Sequence, residues 1–152
     1  MMITQAENAK DNLLKIRRCT HPNCIVCSLS NSRGLNIDFD VSENGEVKAD
    51  IQFDKQYEGY QGMLHGGVIS TILDGAMTNC IFACGQTAVT VEMNIRFRHP
   101  VLLCHPLTVV ARIVQYSYPL YFLESEIIQN GGIKVNCKAK FYEQSRFSEN
   151  CM

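Results

Sequence analysis

The chain has 152 residues, 46% of them hydrophobic and 19% charged, with a formal net charge of -1. That length suits one domain with a continuous core, and the near-neutral charge gives no pull toward nucleic acid or an anionic membrane. No apolar run approaches the roughly 20 residues that span a bilayer, and the opening MMITQAENAKDNLLKIRRC lacks the apolar core of a secretory signal. Neither a nucleic-acid nor a membrane partner is expected, and the expected location is cytoplasmic. Of the eight cysteines, several fall inside apolar periodic segments, where a free thiol behaves as a small hydrophobe; reduced thiols are expected.

Residues 6–17 have the composition of a short amphipathic helix with Leu13, Leu14 and Ile16 as its apolar positions, so residues 1–30 read as a helix-and-loop extension of a single domain over 1–152. Leu35, Ile37, Phe39 and Val41 then alternate with polar residues, SENGE supplies an Asn-Gly turn, and Val47, Ala49, Ile51 and Phe53 resume the alternation, predicting a hairpin. Residues 54–64 hold two glycines and no clear period, a loop. From Val68 the apolar residues recur at 69, 72, 73, 76, 77, 80, 81 and 84, the pattern of a helix with a wide apolar stripe that Gly85 ends. Val89 to Phe97 alternate again up to Pro100, two strands follow at about 107–117 and 120–129, and NGG at 130–132 turns into the alternation of Ile133 to Phe141. The order β-β-α-β-β-β-β predicts an α+β fold, one long helix burying its stripe on an antiparallel sheet of about six strands.

Within MLHGGVISTILDGAMTNCIFACGQTAVTV, residues 63–91, Asp74 is the one full charge apart from any protonated His65. Steps of 100° place it with Ser70, Thr71, Gly75 and Thr78, opposite the apolar stripe. A solvent-facing helix side normally carries several charges; this one carries none but Asp74, so cover by a second copy of the chain is expected. A carboxylate in such a place must be paired or has a raised pKa suited to base or nucleophile work. Ahead of it, Gly66 and Gly67 open the helix, where free N–H groups and the macrodipole polarise a carbonyl oxygen. The bland readings are a hydrogen-bonded structural Asp74 and a glycine pair that only allows a tight turn.

HGGVISTILDGAM followed by TVEMNIRFRHP resembles the hotdog-fold thioesterases of the phenylacetate-degradation (PaaI-like) type, whose mark is His-Gly-Gly with an acidic residue nine positions after the His; CIVCSLSNSRGLNIDF resembles the segment that opens many of them. The resemblance covers roughly residues 24–142. It implies a hotdog fold, a sheet wrapped around a central helix, and hydrolysis of an acyl-CoA thioester. By that resemblance Asp74 is the carboxylate acting as nucleophile or general base, the Gly66 N–H polarises the thioester carbonyl beside His65, Gly67 supports the helix start, and Thr90 helps position water. It also implies a site shared across a dimer or a dimer of dimers, a homotetramer. Many relatives carry Asn or Gln a few residues before the His; here Gly59 stands six before and Gln61 four before, with Gln61 the candidate substitute. No cofactor and no metal are required by this chemistry.

Arg96, Arg98 and His99, with Lys138 and Lys140, are candidates for the phosphates of coenzyme A, against the duller reading of solubilising strand charges. Glu92 shares a strand face with Thr90 and Asn94 by strict alternation and is a second candidate carboxylate, or a cross-strand ion-pair partner. Tyr116, Tyr118, Tyr121 and Phe122 are set to line an acyl pocket or to pack a strand edge. CTHPNCIVC puts Cys19, His21, Cys24 and Cys27 together, but no second C-x-x-C or His pair completes a four-ligand set, so structural thiols are expected there. The reading that competes with an enzyme is a non-catalytic acyl-CoA-binding protein of the same fold.

Overall fold

The computed structural model describes residues 5–151; residues 1–4 of the expected N-terminal extension, and residue 152, lie outside it. Helix α1 (Gln5–Thr20) leads through a turn-rich segment into strands β1 (Asp40–Val41) and β2 (Val47–Ile51), and a 3-10 turn at Lys55–Tyr57 precedes helix α2 (Gly66–Ala83). Strands β3 (Ala88–Phe97), β4 (Leu107–Ser117), β5 (Leu120–Gln129) and β6 (Gly132–Glu143) follow, and a 3-10 segment at Ser145–Cys151 closes the chain. The six strands form one sheet in the order β1-β2-β4-β5-β6-β3, every neighbour antiparallel.

In β5 and β6 the alternation that marks the strands in the sequence is the alternation of their burial. Along β5, Tyr121, Leu123, Ser125, Ile127 and Gln129 point inward, and along β6 so do Val135, Cys137, Ala139 and Phe141. This inner face closes on α2, where Ile72, Leu73, Ala76, Met77 and Ile81 are fully buried. Helix α2 is long and apolar enough, by length and composition, to cross a membrane, contrary to the sequence expectation; two thirds of it (67%) is buried within the protein, as befits a core helix. Its polar side chains are satisfied locally: Ser70, Thr71, Thr78 and Asn79 each donate to the carbonyl four residues back, and Thr78 and Asn79 are buried.

Three expectations change. Helix α1 is no appendage, since Leu13 and Ile16 sit in the main core and Asn12 Nδ2 donates to the Ala83 carbonyl at the end of α2. The first arm of the hairpin shrinks to two residues because the backbone of residues 35–37 bonds elsewhere: Leu35 N–H donates to Ile25 O (2.7 Å) and Ile37 N–H to Val26 O (2.8 Å), with Asn36 between them at φ 52°. The thiols are not all reduced, because α1 and the C-terminal 3-10 segment lie side by side and bring Cys19 and Cys151 to a Cα separation of 5.7 Å in a disulfide. The other six cysteines are free.

Candidate active site

The chain runs into α2 through an extended turn whose shape is set by several contacts. His65 caps the helix: its backbone is extended, and its Nδ1 accepts the Gly67 N–H at 2.8 Å. Gly67 is needed there because a Cβ would stand 3.1 Å from that Nδ1, and Gly59 because a Cβ would stand 3.1 Å from the His65 Cα. With Gly67 N–H taken by the ring, the Gly66 N–H has no partner among the described residues, at the positive end of an 18-residue helix.

The approach to His65 is zipped to the loop after β3. Leu64 N–H donates to Val101 O (2.8 Å), Leu103 N–H donates to Gly62 O (3.1 Å), and Met63 bridges Leu102. Behind that loop stands Gln129, buried at the end of β5. Its Oε1 accepts Leu102 N–H (2.8 Å), and its Nε2 donates to Leu102 O (3.0 Å) and His105 O (3.2 Å). The resulting cleft, about 820 Å³, runs over Gly66 and Ile69 between Glu58, Gly59 and Tyr60 on one side and Phe97, Arg98 and His99 on the other. It is apolar in its body with a few polar groups at its rim, the usual make-up of a small-molecule site.

Asp74 lies two turns further along α2, half-buried. Its Oδ1 accepts the Thr90 hydroxyl at 2.5 Å. Burial raises the carboxyl pKa, and the Thr90 hydrogen bond and the neighbouring His21 charge pull it back without cancelling the rise, while Cys24 adds to it. A carboxyl held above its usual range and fixed by a hydroxyl is fitted to accept a proton from water near neutral pH.

The structure therefore brings Asp74 to Thr90, and His65 and Gly66 to Arg98 and His99, with Gly67 held on the His65 ring, but it separates the two groups. Eight residues at 1.5 Å per residue put Asp74 about 12 Å along the helix axis from Gly66. Gln61 is exposed and does not line the cleft. Arg96 is on the outer face of the sheet. A bulge between Thr90 and Glu92 shifts the register against β6, so Ala88 and Thr90 face α2 while Glu92, Asn94 and Arg96 face outward with Lys138 and Lys140. Strict alternation had put Glu92 beside Thr90; instead it pairs with Lys140 at 3.4 Å. The tyrosines are also elsewhere: Tyr116 and Tyr121 both donate to Glu143 Oε1 (3.1 Å), away from the cleft, while Phe122 lies on the outer face near Lys140.

What covers the Asp74 side of α2 differs as well. Gly75 is buried against Val26 of the same chain, and Thr78 and Asn79 are buried too. The segment after α1 lies on this face, so the uncharged stretch beyond Asp74 has its cover without a second copy. That segment carries His21, Cys24 and Cys27. A hydrogen bond from the Cys27 thiol, aided by His21 and two backbone amides, lowers the Cys24 pKa to about 3; the same bond, with burial, pushes the Cys27 thiol up.

The family model described as the Thioesterase superfamily matches residues 61–135, from the loop before His65 to the middle of β6. The chain has the hotdog fold, which it shares with solved thioesterase superfamily proteins. Acyl-coenzyme A thioesterase THEM4 of Bos taurus is 27% identical over 97 residues, which are 62% of this chain and 40% of that protein. The chain thus matches well under two thirds of the length of this curated relative. Among solved structures, the thioesterase superfamily protein RHA08564 superposes with a TM-score of 0.74 at 21% identity, over 78% of this chain and 59% of that one. The smu.793 protein of Streptococcus mutans UA159, solved bound to acetyl CoA, gives a TM-score of 0.68 at 20% identity, over 72% and 90%. At these identities the superpositions establish the fold, and the chemistry has to be argued from the site. The Gln129 anchor and the placement of His21, Cys24 and Cys27 beside Asp74 are features that sequence periodicity does not reach, since each depends on a contact between distant segments.

Proposed function

We propose that this hotdog protein is an acyl-CoA thioesterase that hydrolyses an acyl or aryl thioester to the free acid and coenzyme A. The observation that carries the reading is Asp74: a half-buried carboxyl with a raised pKa, fixed by Thr90, on a helix whose first amide, Gly66 N–H, is open. The Gly66 amide binds the carbonyl oxygen as it gains charge, where such a donor is worth roughly 100-fold to 1,000-fold in rate. Asp74 takes a proton from a water held with Thr90 as that water adds to the carbonyl, or the carboxylate adds itself and water then cleaves the mixed anhydride to the free acid. The thiolate of coenzyme A leaves and takes a proton from solvent.

The two halves belong to different copies of the chain. One carbonyl cannot lie within hydrogen-bond reach of both Gly66 and Asp74 of a single helix across about 12 Å, so a dimer that sets one chain's Asp74 against its partner's Gly66 completes the site. Edge strand β3 is fitted to that dimer, with ten residues and exposed Val89, Val91 and Phe97. Arg98 and His99 at the rim of the cleft are suited to the phosphates of coenzyme A. Acetyl CoA in the smu.793 structure and the THEM4 relative support acyl-CoA as the substrate class.

The test is chromatographic measurement of coenzyme A release from short, long and aromatic acyl-CoAs by wild type and Asp74→Asn. Turnover by wild type with at least a 100-fold loss in the variant, binding retained, supports the reading. Binding by both proteins with turnover by neither sinks it in favour of a non-catalytic acyl-CoA-binding protein.

A further inference from the structure

The segment that covers α2 beside Asp74 holds a second cluster of chemistry that the thioesterase reading does not use. His21, Cys24 and Cys27 form a His-x-x-Cys-x-x-Cys run whose three ligand atoms lie within 4.8 Å of one another. We propose that His21 Nδ1, Cys24 Sγ and Cys27 Sγ bind one thiophilic divalent cation of the Zn²⁺ class, with an exchangeable fourth position.

The distances fit. Tetrahedral zinc with bonds of about 2.3 Å to sulfur and about 2.05 Å to nitrogen separates a sulfur from a nitrogen by roughly 3.6 Å and two sulfurs by roughly 3.8 Å. Cys27 Sγ and His21 Nδ1 are 3.8 Å apart and no pair of the three atoms exceeds 4.8 Å, so closing on a metal draws them together by at most about 1 Å. The surroundings are those of a thiolate site. Val26 N–H points at Cys24 Sγ at 3.3 Å. Asn79, buried on α2, gives its Nδ2 to Gly75 O (2.8 Å) and leaves its Oδ1 without a partner among the described residues.

The ligands are also braced. The His21 ring packs edge-on against Phe82 at 4.9 Å, and Gly75 lets Val26 sit directly on α2. His21 and Cys24 are only half-buried, which gives a cation access, while Cys27 is buried. Two thiolates and a neutral imidazole balance a 2+ ion. Binding sends to solvent whichever thiol protons the two sulfurs still carry and forms two metal–sulfur bonds and one metal–nitrogen bond, with no oxidant involved. In the sequence Cys19 stands with these three residues; the structure takes it into the disulfide with Cys151 and leaves a compact three-ligand set.

The test titrates the full chain, reduced with a non-coordinating phosphine and freed of metal by chelation, with CoCl₂ and then ZnCl₂. The expected result is one equivalent of cobalt per chain, with a sulfur-to-cobalt charge-transfer band and intense tetrahedral d–d bands that zinc abolishes. Cys24→Ser and His21→Ala should weaken binding at least tenfold, while Cys19→Ser and Cys104→Ser leave the spectrum unchanged. A readout on wild type alone guards against misfolded variants: one equivalent of ZnCl₂ should protect Cys24 from alkylation at least tenfold without protecting exposed Cys104. A spectrum that stays that of hydrated cobalt with folded protein, or bands that persist in Cys24→Ser, overturns the proposal. So does a Cys24–Cys27 disulfide whose reduction restores no metal uptake. None of these readouts depends on thioester hydrolysis.

Discussion

The Thr90 hydroxyl donates to Asp74 Oδ1 at 2.5 Å, joining the middle of α2 to the start of edge strand β3. This bond favours the charged carboxylate, against the burial that disfavours it. Thr90→Val removes the bond and nearly keeps the shape, so the Asp74 pKa should rise further. The acidic limb of a kcat/KM profile should then move to higher pH, with kcat reduced about 10-fold to 100-fold, less than the roughly 100-fold to 10,000-fold that a general base itself contributes. An unmoved limb with a uniform loss of rate would place Thr90 outside the control of Asp74.

The same raised pKa has a consequence for stability, with a defined sign. A carboxyl that holds its proton more tightly folded than unfolded stabilises the protein below its unfolded value, about 3.9, and that contribution is lost as pH rises through the higher folded value. Charged Asp74 is therefore a burden at neutral pH. Asp74→Asn should raise Tm at pH 7, and the gain should shrink as pH falls through the raised folded value and level off below about 4. Thermal melts of both proteins across that range check it; a variant less stable than wild type at pH 7 would mean that the carboxylate is held by pairing stronger than its burial cost.

Both effects trace to a residue that stands out in the sequence, and the contrast with its neighbours shows what a sequence carries. The strands and α2 are legible because Val89 to Phe97, Leu120 to Gln129 and Ile133 to Phe141 repeat with the period of a sheet packed on one face, and the α2 stripe repeats with that of a helix. Asp74 is legible because a lone charge in an apolar helix needs a reason. The bulge between Thr90 and Glu92 is not, since one extra residue reverses the facing of all that follows without any mark in composition. Nor is the packing of α1, whose few apolar residues look peripheral until Leu13 and Ile16 are found in the core.

Gly75 makes the point in energetic form. In a helix interior, Gly→Ala normally stabilises by about 1 kcal/mol. Here a Cβ would lie 2.4 Å from Val26 Cγ1 and 3.0 Å from its Cβ, atoms of a stiff branched side chain buried in the core. Overpacking of about 1–3 kcal/mol should outweigh the propensity gain, so Gly75→Ala lowers stability to chemical denaturation. Double substitution with Val26→Ala should recover most of the loss, and failure to recover it would mean that the two residues are not in contact.

Gln129 is the prediction that ties fold to site. Its side chain satisfies Leu102 N–H, Leu102 O and His105 O, and the loop that bears them holds residues 62–64, which aim His65 and Gly66. Gln129→Leu keeps the volume but leaves a buried N–H and carbonyls unpaired, a cost of about 1–3 kcal/mol for the donor alone. The zipped loops should loosen before the sheet does. Amide exchange should therefore quicken at Leu64 and Leu103, which donate across the two loops, while the β5–β6 ladder stays protected. In the same variant, kcat for an acyl-CoA should fall along with a rise in KM, because the loop aims Gly66, whose N–H polarises the carbonyl, as well as shaping the mouth of the cleft. Equal loss of protection in both regions would show instead that Gln129 supports the whole sheet.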